Sequence, residues 1–265
     1  MRIFYSEFNP YYESYSFPYG VYAVPENRED ITEVYESGFL PFTGDLRLKE
    51  SVFYKARSLR VNLEKFEDGS ENRRTAGKFE GLNIVLKPLL KNPIENPDFR
   101  SFAMEYTDKR FKGGSMDENR LSYVLSRSYL SNTYLFSLDK KPIAYLLAVE
   151  NSDVFHYWFC FFDLSLSKQL PLGKFLMHRG IQLAMSKGCR HIYLGTCYGT
   201  HSLYKARDFK GVEFHDGNRW VNDLKLLKKK CAADSEENFR KLDQFKSAKD
   251  PNQFIELIIN HHRKK

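Results

Sequence analysis

Six of the ten residues from Val154 to Asp163 are aromatic: Phe155, Tyr157, Trp158, Phe159, Phe161 and Phe162. Aromatic and β-branched side chains favour a pleated surface, so the run reads as a strand. With so little polar relief it is expected to be central and buried on both faces. Two further strand-like runs precede it, Thr133–Leu138 and Ile143–Glu150. The turn clusters Asp139-Lys140-Lys141-Pro142 and Asn151-Ser152-Asp153 separate the three, which makes an antiparallel meander. Pro171-Leu172-Gly173 then opens a helix to Lys187, striped by Leu172, Phe175, Leu176, Leu183 and Ala184 and stopped by Gly188. His191–Leu194 is a short buried strand. Two helices come earlier, Asp98–Arg110 and Glu118–Leu130, with Gly113-Gly114 between them. The order helix, helix, strand, strand, strand, helix, strand specifies a layered α/β (α+β) domain with a late crossover helix.

The first third is less regular. Ile31–Ser37 reads as a short helix ended by Gly38, and Ser51–Leu63 as a strand. Asp68-Gly69-Ser70 is a turn leading into Asn72-Arg73-Arg74, and Leu82–Leu86 is another strand. Pro88, Pro93 and Pro97 break the pattern, which places a boundary near Lys91–Pro97. The expected domains are 1–95, 96–223 and a basic helical tail, 224–265.

At 265 residues, 42% hydrophobic and 28% charged, the chain is long enough for a sizeable core. That composition excludes disorder, collagen and coiled coils. No apolar run nears the roughly 20 residues that span a bilayer, and the N-terminus lacks a signal peptide's features. The four cysteines, Cys160, Cys189, Cys197 and Cys231, form no C-x-x-C pair. Neither a disulfide framework nor a metal site is expected, and a cytoplasmic setting fits. Charge is uneven. The net is +7, and Leu224–Lys265 holds eleven Lys/Arg against six Asp/Glu. That tail reads either as a phosphate-binding segment or as a solvated helix that aids solubility.

The order of elements is similar to the GNAT superfamily of acyltransferases. That family cradles the pyrophosphate of acyl-CoA on a glycine-rich turn at a helix start. The corresponding turn here, Ser167–Lys174, has one glycine, and Pro171 removes a donor. A closer resemblance lies in an ordered set of motifs. Tyr193-Leu194-Gly195, Tyr204-Lys205-Ala206-Arg207, Asp216-Gly217 and Arg219-Trp220 look like the C-terminal signature of the arginyl/leucyl-tRNA–protein transferases. Phe162-Asp163, Leu172-Gly173 and Gly113-Gly114-Ser115-Met116 resemble further family motifs. So do Gly38-Phe39 with Gly44, Arg60-Val61, and Ser70-Glu71-Asn72-Arg73-Arg74. The set spans about Tyr19 to Asn222. In one respect the chain departs from the family. Leu46–Leu59 carries no cysteine, where the family has cysteines linked to metal or iron–sulfur binding, so no such site is expected there.

The resemblance implies a GNAT-like, largely antiparallel mixed sheet flanked by helices, with a smaller N-terminal domain of related type. It implies transfer of arginine or leucine from aminoacyl-tRNA, as co-substrate, to an amine acceptor, a protein or peptide N-terminus. No other cofactor and no membrane partner are expected. The tRNA ester is already activated, so such a site must orient the amine, manage its proton and stabilise an oxyanion. Asp163 is the candidate proton acceptor, or else a helix cap. Lys205 and Arg207 are candidates for the ester oxygen or acceptor-end phosphates, and Tyr204 for positioning the terminal adenosine. Arg73 and Arg74 would bind RNA backbone or lie in a solvated loop. Gly113, Gly114 and Gly195 would allow close approach of backbone to substrate. His156 and His191 read as core residues, and His201 and His215 as weaker catalytic candidates. Two rival readings remain: an acyl-CoA-dependent N-acyltransferase on the same fold, and a non-catalytic RNA- or peptide-binding module.

Overall fold

The computed structural model describes residues 1–7, 12, 19–89, 95–110, 116–234 and 252. The chain clusters into two compact units. The first is Met1–Ser58, Thr196–Leu203 and Phe214–Lys265, and the second is Leu59–Gly195 with Tyr204–Glu213. Elements are numbered along the chain.

In the first unit, β1 (Arg2–Glu7), β2 (Tyr19–Val24), β3 (Phe39–Pro41) and β4 (Phe53–Lys55) form a sheet ordered β1-β2-β4-β3. Every pairing in it is antiparallel. Helix α1 (Asp30–Glu36) buries Ile31, Val34 and Tyr35, and the Tyr35 ring meets Phe53 edge-on. Gly38 follows with φ +83°, and a Cβ there would lie 2.4 Å from the His215 ring, so only glycine fits. The unit also holds β12 (Trp220–Val221), which pairs with Phe214 and His215 of β11 (Val212–His215). Helix α8 (Leu224–Ala233) is capped by the Asp223 side chain and buries Leu227 and Cys231.

The second unit is built on the expected meander. β6 (Ile84–Pro88), β7 (Asn132–Leu138), β8 (Lys141–Glu150) and β9 (Val154–Phe162) pair antiparallel in sequence. β10 (His191–Thr196) joins β9 in parallel, and β5 (Ser58–Asn62) and then β11 extend the sheet. Helices α3 (Pro97–Arg110) and α4 (Glu118–Leu125) supply Phe99, Ala103, Leu121 and Val124 to a core shared with Tyr145, Leu147 and Phe161. The crossover consists of α5 (Leu164–Ser167) and α6 (Leu172–Ser186). Phe162, the neighbour of Phe161, touches Gly173 of α6. Helix α2 (Ser70–Gly77) leads to Phe79, whose ring stacks on Phe175 of α6 at 3.9 Å. A single turn, α7 (Tyr204–Arg207), completes the unit. The architecture is thus a large, mostly antiparallel mixed sheet flanked by helices, with a smaller sheet at the N-terminus. No helix among the described residues is long and apolar enough to cross a membrane.

Four local expectations change. Ser51–Leu63 is not one strand: β4 ends at Lys55 and β5 starts at Ser58 in the other sheet. The chain turns at Ala56-Arg57, where the Arg57 guanidinium is drawn into an ion pair with Asp234. Asn72-Arg73-Arg74 lies in α2 rather than in a loop; the helix is polar throughout and carries almost no apolar stripe to reveal it. The helix after Asp117 stops at Leu125, short of Leu130. Finally, β9 is fully buried from Val154 to His156 but only partly buried from Tyr157 to Cys160. Gly113 and Gly114, part of the Lys91–Pro97 boundary, and the tail beyond Asp234 (Asn252 apart) lie outside the described residues.

Candidate functional site

The partial exposure of β9 has a geometric cause. β9 and β10 pair for only three rungs: Val154 with His191, Phe155 with Ile192, and His156 with Tyr193. β9 continues to Phe162 and β10 to Thr196 without further pairing, so the two strands part after His156. On the β8 side the ladder slips where Leu147 faces Phe159 and Ala148 faces Tyr157, which leaves Trp158 as an extra residue. A bulge of this kind bends the strand and re-aims its side chains. The two strands therefore splay apart inside the second unit, at the C-terminal ends of parallel strands, where α/β folds place ligands.

Gly195 sits at this splay with φ +79°, a conformation that favours glycine. The Lys205 Nζ lies 3.7 Å from where a Cβ on Gly195 would stand. The sequence therefore brings two of its predicted site residues together here, with the Lys205 ammonium over the open face of the glycine. Behind it, His156 is buried and its imidazole is pushed down to about 3, first by burial and then by the nearby Lys205 charge. The ring stays neutral at any physiological pH.

Three phenols and a thiol gather beside this point. The Tyr157 hydroxyl and the Cys160 thiol share a hydrogen bond, and Tyr157 also feels Tyr204 and Tyr106. Burial, reinforced by these neighbours, raises the Tyr157 phenol well above its ordinary value. Tyr106, from α3, is pushed up to about 12 by burial and by Cys160, against a counter-pull from Arg110. The Cys160 thiol is pushed up to about 12 by burial, partly offset by the Tyr157 hydrogen bond. Tyr106, Tyr157 and Cys160 thus all keep their protons near neutrality. A Cβ on Gly180 of α6 would stand 2.8 Å from the Tyr157 ring, so that glycine makes room for the phenol. Tyr106, Tyr157 and Cys160 were not singled out from sequence. Their signal was the few polar-tipped members of an aromatic strand and a tyrosine on the preceding helix.

Of the other predicted residues, Tyr204 belongs to this cluster and the rest fall elsewhere. Asp163 caps α5: its Oδ1 accepts from the Ser165 backbone N–H at 2.7 Å, the Ser165 hydroxyl at 2.6 Å and the Leu166 N–H at 3.2 Å. Burial pushes this carboxyl up, but those hydrogen bonds and the Lys109 charge outweigh it and hold it below the usual carboxylate range. A committed, low-pKa acceptor is a poor general base. Tyr204 is 50% exposed. Arg207 is exposed, with its Nε 3.3 Å from Asp208. Arg73 donates to the Asp68 carbonyl, and Arg74 pairs with Glu71 at 2.8 Å one helical turn back. His215 is buried in the first unit, edge-on to Trp220 and accepting from the Gly217 N–H, so its role is structural. His201 is exposed in the first unit. His191 is buried in β10, as expected.

The start of α6 does not fit a pyrophosphate. Pro171 stands at the N-cap with no side-chain cap, and the Leu172 N–H is taken by the Leu170 carbonyl. Lys174, in the first turn of α6, is held by Glu71 at 2.7 Å and Asp208 at 3.1 Å. An arriving phosphate would meet two carboxylates there, which oppose it. Among the described residues, no group of three or more His, Cys, Asp or Glu is placed to hold a metal ion.

Comparison with known proteins bears on the same segment. Residues 126–210 match the model of the acetyltransferase (GNAT) domain. That stretch contains β7 to β10, the crossover helices, Gly195 and Lys205. No curated protein matches the chain. Among the solved structures similar to it are three with the following likeness. One is the C-terminal domain of an Agrobacterium fabrum protein described as a lysylphosphatidylglycerol synthetase (14% identity, TM-score 0.41, covering 66% of this chain and 54% of that one). The chain thus spans about half of that domain's length. Another is L-PGS from Bacillus licheniformis (13%, 0.42, 77% and 70%). The third is a conserved protein of unknown function from Bacteroides thetaiotaomicron (14%, 0.44, 73% and 68%). The fold is GNAT-like, and the domain match supports an acyl-transferring enzyme.

Proposed function

We propose that this chain is an aminoacyltransferase. It moves an amino acid, arginine or leucine by the motif resemblance, from aminoacyl-tRNA to an amine, the N-terminus of a protein or peptide. The observation that carries the acyl-transfer chemistry is Lys205 against Gly195 where β9 and β10 part, beside phenols that remain protonated. Attack of a neutral amine on the ester builds negative charge on the carbonyl oxygen, and the Lys205 ammonium offsets it. The proton that the amine loses is the one the departing ribose oxygen requires. A protonated phenol hands one across and takes the other, so no ionised base is needed. The carboxylates at the start of α6 support an acyl donor other than acyl-CoA.

The second reading, an acyl-CoA-dependent N-acyltransferase, draws on the acetyltransferase domain match. One experiment separates the two. The purified protein receives charged tRNAs, each amino acid radiolabelled in turn, and acceptor peptides with varied first residues; a parallel reaction receives labelled acetyl-CoA. Label entering peptide from one aminoacyl-tRNA is the expected result. Label only from acetyl-CoA establishes the second reading. If tRNA binds and neither donor yields product, the chain is a binding module.

A further inference from the structure

Cys197 and Cys231 stand 34 residues apart in the chain with their sulfurs 3.7 Å apart. Both are wholly buried in the first unit. Cys231 is on α8, and Cys197 follows β10. The Cys197 sulfur lies 3.2 Å from the Ser202 hydroxyl, and the Cys231 sulfur 3.6 Å from the Cys197 carbonyl. The Arg57 guanidinium reaches the Cys231 sulfur at 3.9 Å and the Cys197 carbonyl at 3.3 Å. It also pairs with Asp234, the C-cap of α8, at 2.6 Å, and Asp234 accepts from the Gly199 N–H at 2.8 Å. The last turn of α8 is therefore fixed to residues 197–199 through one ion pair, with the two thiols beneath it. The remaining cysteines are engaged elsewhere, Cys160 with Tyr157 and Cys189 with the Asn151 carbonyl.

We propose that Cys197 and Cys231 are a redox dithiol that closes to an intramolecular disulfide, locking α8 onto the segment after β10. A disulfide needs sulfurs about 2.05 Å apart, so closing it requires the two side chains to turn toward each other from their present 3.7 Å. Access comes from α8 itself. It is a ten-residue helix whose buried side chains are Leu227 and Cys231, and a helix that short is held by packing rather than by its own propensity. Opening of such an element precedes global unfolding and uncovers both sulfurs. With hydrogen peroxide as oxidant, one thiolate displaces hydroxide from the O–O bond and becomes a sulfenic acid. The second sulfur attacks it, the S–O bond breaks, and water leaves. Two thiols and one peroxide become one disulfide and two waters.

The test treats the full chain with hydrogen peroxide, unfolds it in acid, alkylates the free thiols and maps the peptides. The expected result is a Cys197–Cys231 cross-linked peptide pair, an intact mass lower by about 2 Da before alkylation, and alkylated Cys160 and Cys189. Hydrogen exchange of the α8 amides should slow by about tenfold or more, because opening no longer frees the helix. Cys160→Ser should leave the cross-link intact, whereas Cys231→Ser and Cys197→Ala should each abolish it. The proposal is overturned by a disulfide that includes Cys160 or Cys189, by oxygen added to Cys197 or Cys231 without a cross-link, or by no reaction.

Discussion

Lys205 and Asp163 show how far residue identity alone carries. Both are chemically suited to acyl transfer, and both lie near the end of a central strand of one unit. Geometry separates them. Lys205 ends against Gly195 inside the second unit, whereas Asp163 spends its Oδ1 on three donors at the start of α5. Lys205→Met should therefore lower kcat for peptide labelling by roughly 10²–10³-fold, the range for loss of one oxyanion partner. The KM for peptide should change little, because the interaction forms only as charge develops. Steady-state kinetics on both proteins checks this, and a change confined to KM would count against it. Asp163→Ala should cost about 1 kcal/mol of stability as a lost cap, while Asp163→Asn should retain most of it because the amide oxygen still caps. Urea unfolding of the two variants reads the difference. The depressed Asp163 carboxyl adds the usual sign: its contribution is present above its ordinary value of 3.8 and lost as pH falls through the lower folded value.

At the scale of elements, legibility followed periodicity. The meander, α3, α6 and β10 were readable because their apolar patterns are strong and their ends are marked by glycine, proline or turn clusters. α2 was not, because a helix of Ser, Glu, Asn and Arg offers no stripe. The partly buried half of β9 was not either. Its composition is that of a buried strand, and the parting of β10 from it depends on tertiary pairing that no local window contains. Tyr54-Lys55-Ala56-Arg57 and Tyr204-Lys205-Ala206-Arg207 share four residues but not a structure: the first begins in a strand and the second is a helical turn. The charge asymmetry gained a definite carrier. On α8, Lys225, Lys228 and Lys229 are exposed at helical spacing, and no described carboxylate pairs with them. If these lysines hold the tRNA backbone, the variant K225Q/K228Q/K229Q should weaken binding of uncharged tRNA. It should also reduce the slope of log K against log salt by about 2–3. A titration at several salt concentrations measures it, and an unchanged slope assigns α8 to solubility alone.

The whole molecule carries its net charge of +7 around a core that excludes two histidines from titration. His156 and His191 are both in the second unit, and both are buried. Burial dominates each shift. Lys205 adds to it at His156, while at His191 the charges of Arg60, Arg190 and Lys65 add to it against the pull of Glu213. The folded values fall to about 3 and about 4, against an ordinary value of 6.5. Between those limits the unfolded chain binds protons that the native chain refuses, so stability must rise with pH across that interval. Read downward, the contribution is complete above about pH 6.5 and drains as pH falls toward 4. The depressed carboxylates of Asp45, Asp163 and Asp234 act later, because their protons bind only below their ordinary value of 3.8. The first acid loss therefore belongs to the imidazoles. Thermal unfolding of the full chain should show Tm lower at pH 5 than at pH 7.5, and His191→Phe, which removes one of the two groups, should flatten the fall. A Tm that is level across that range would mean that the histidines take up protons in the native state, and that the interior behind Lys205 is wetter than the geometry requires.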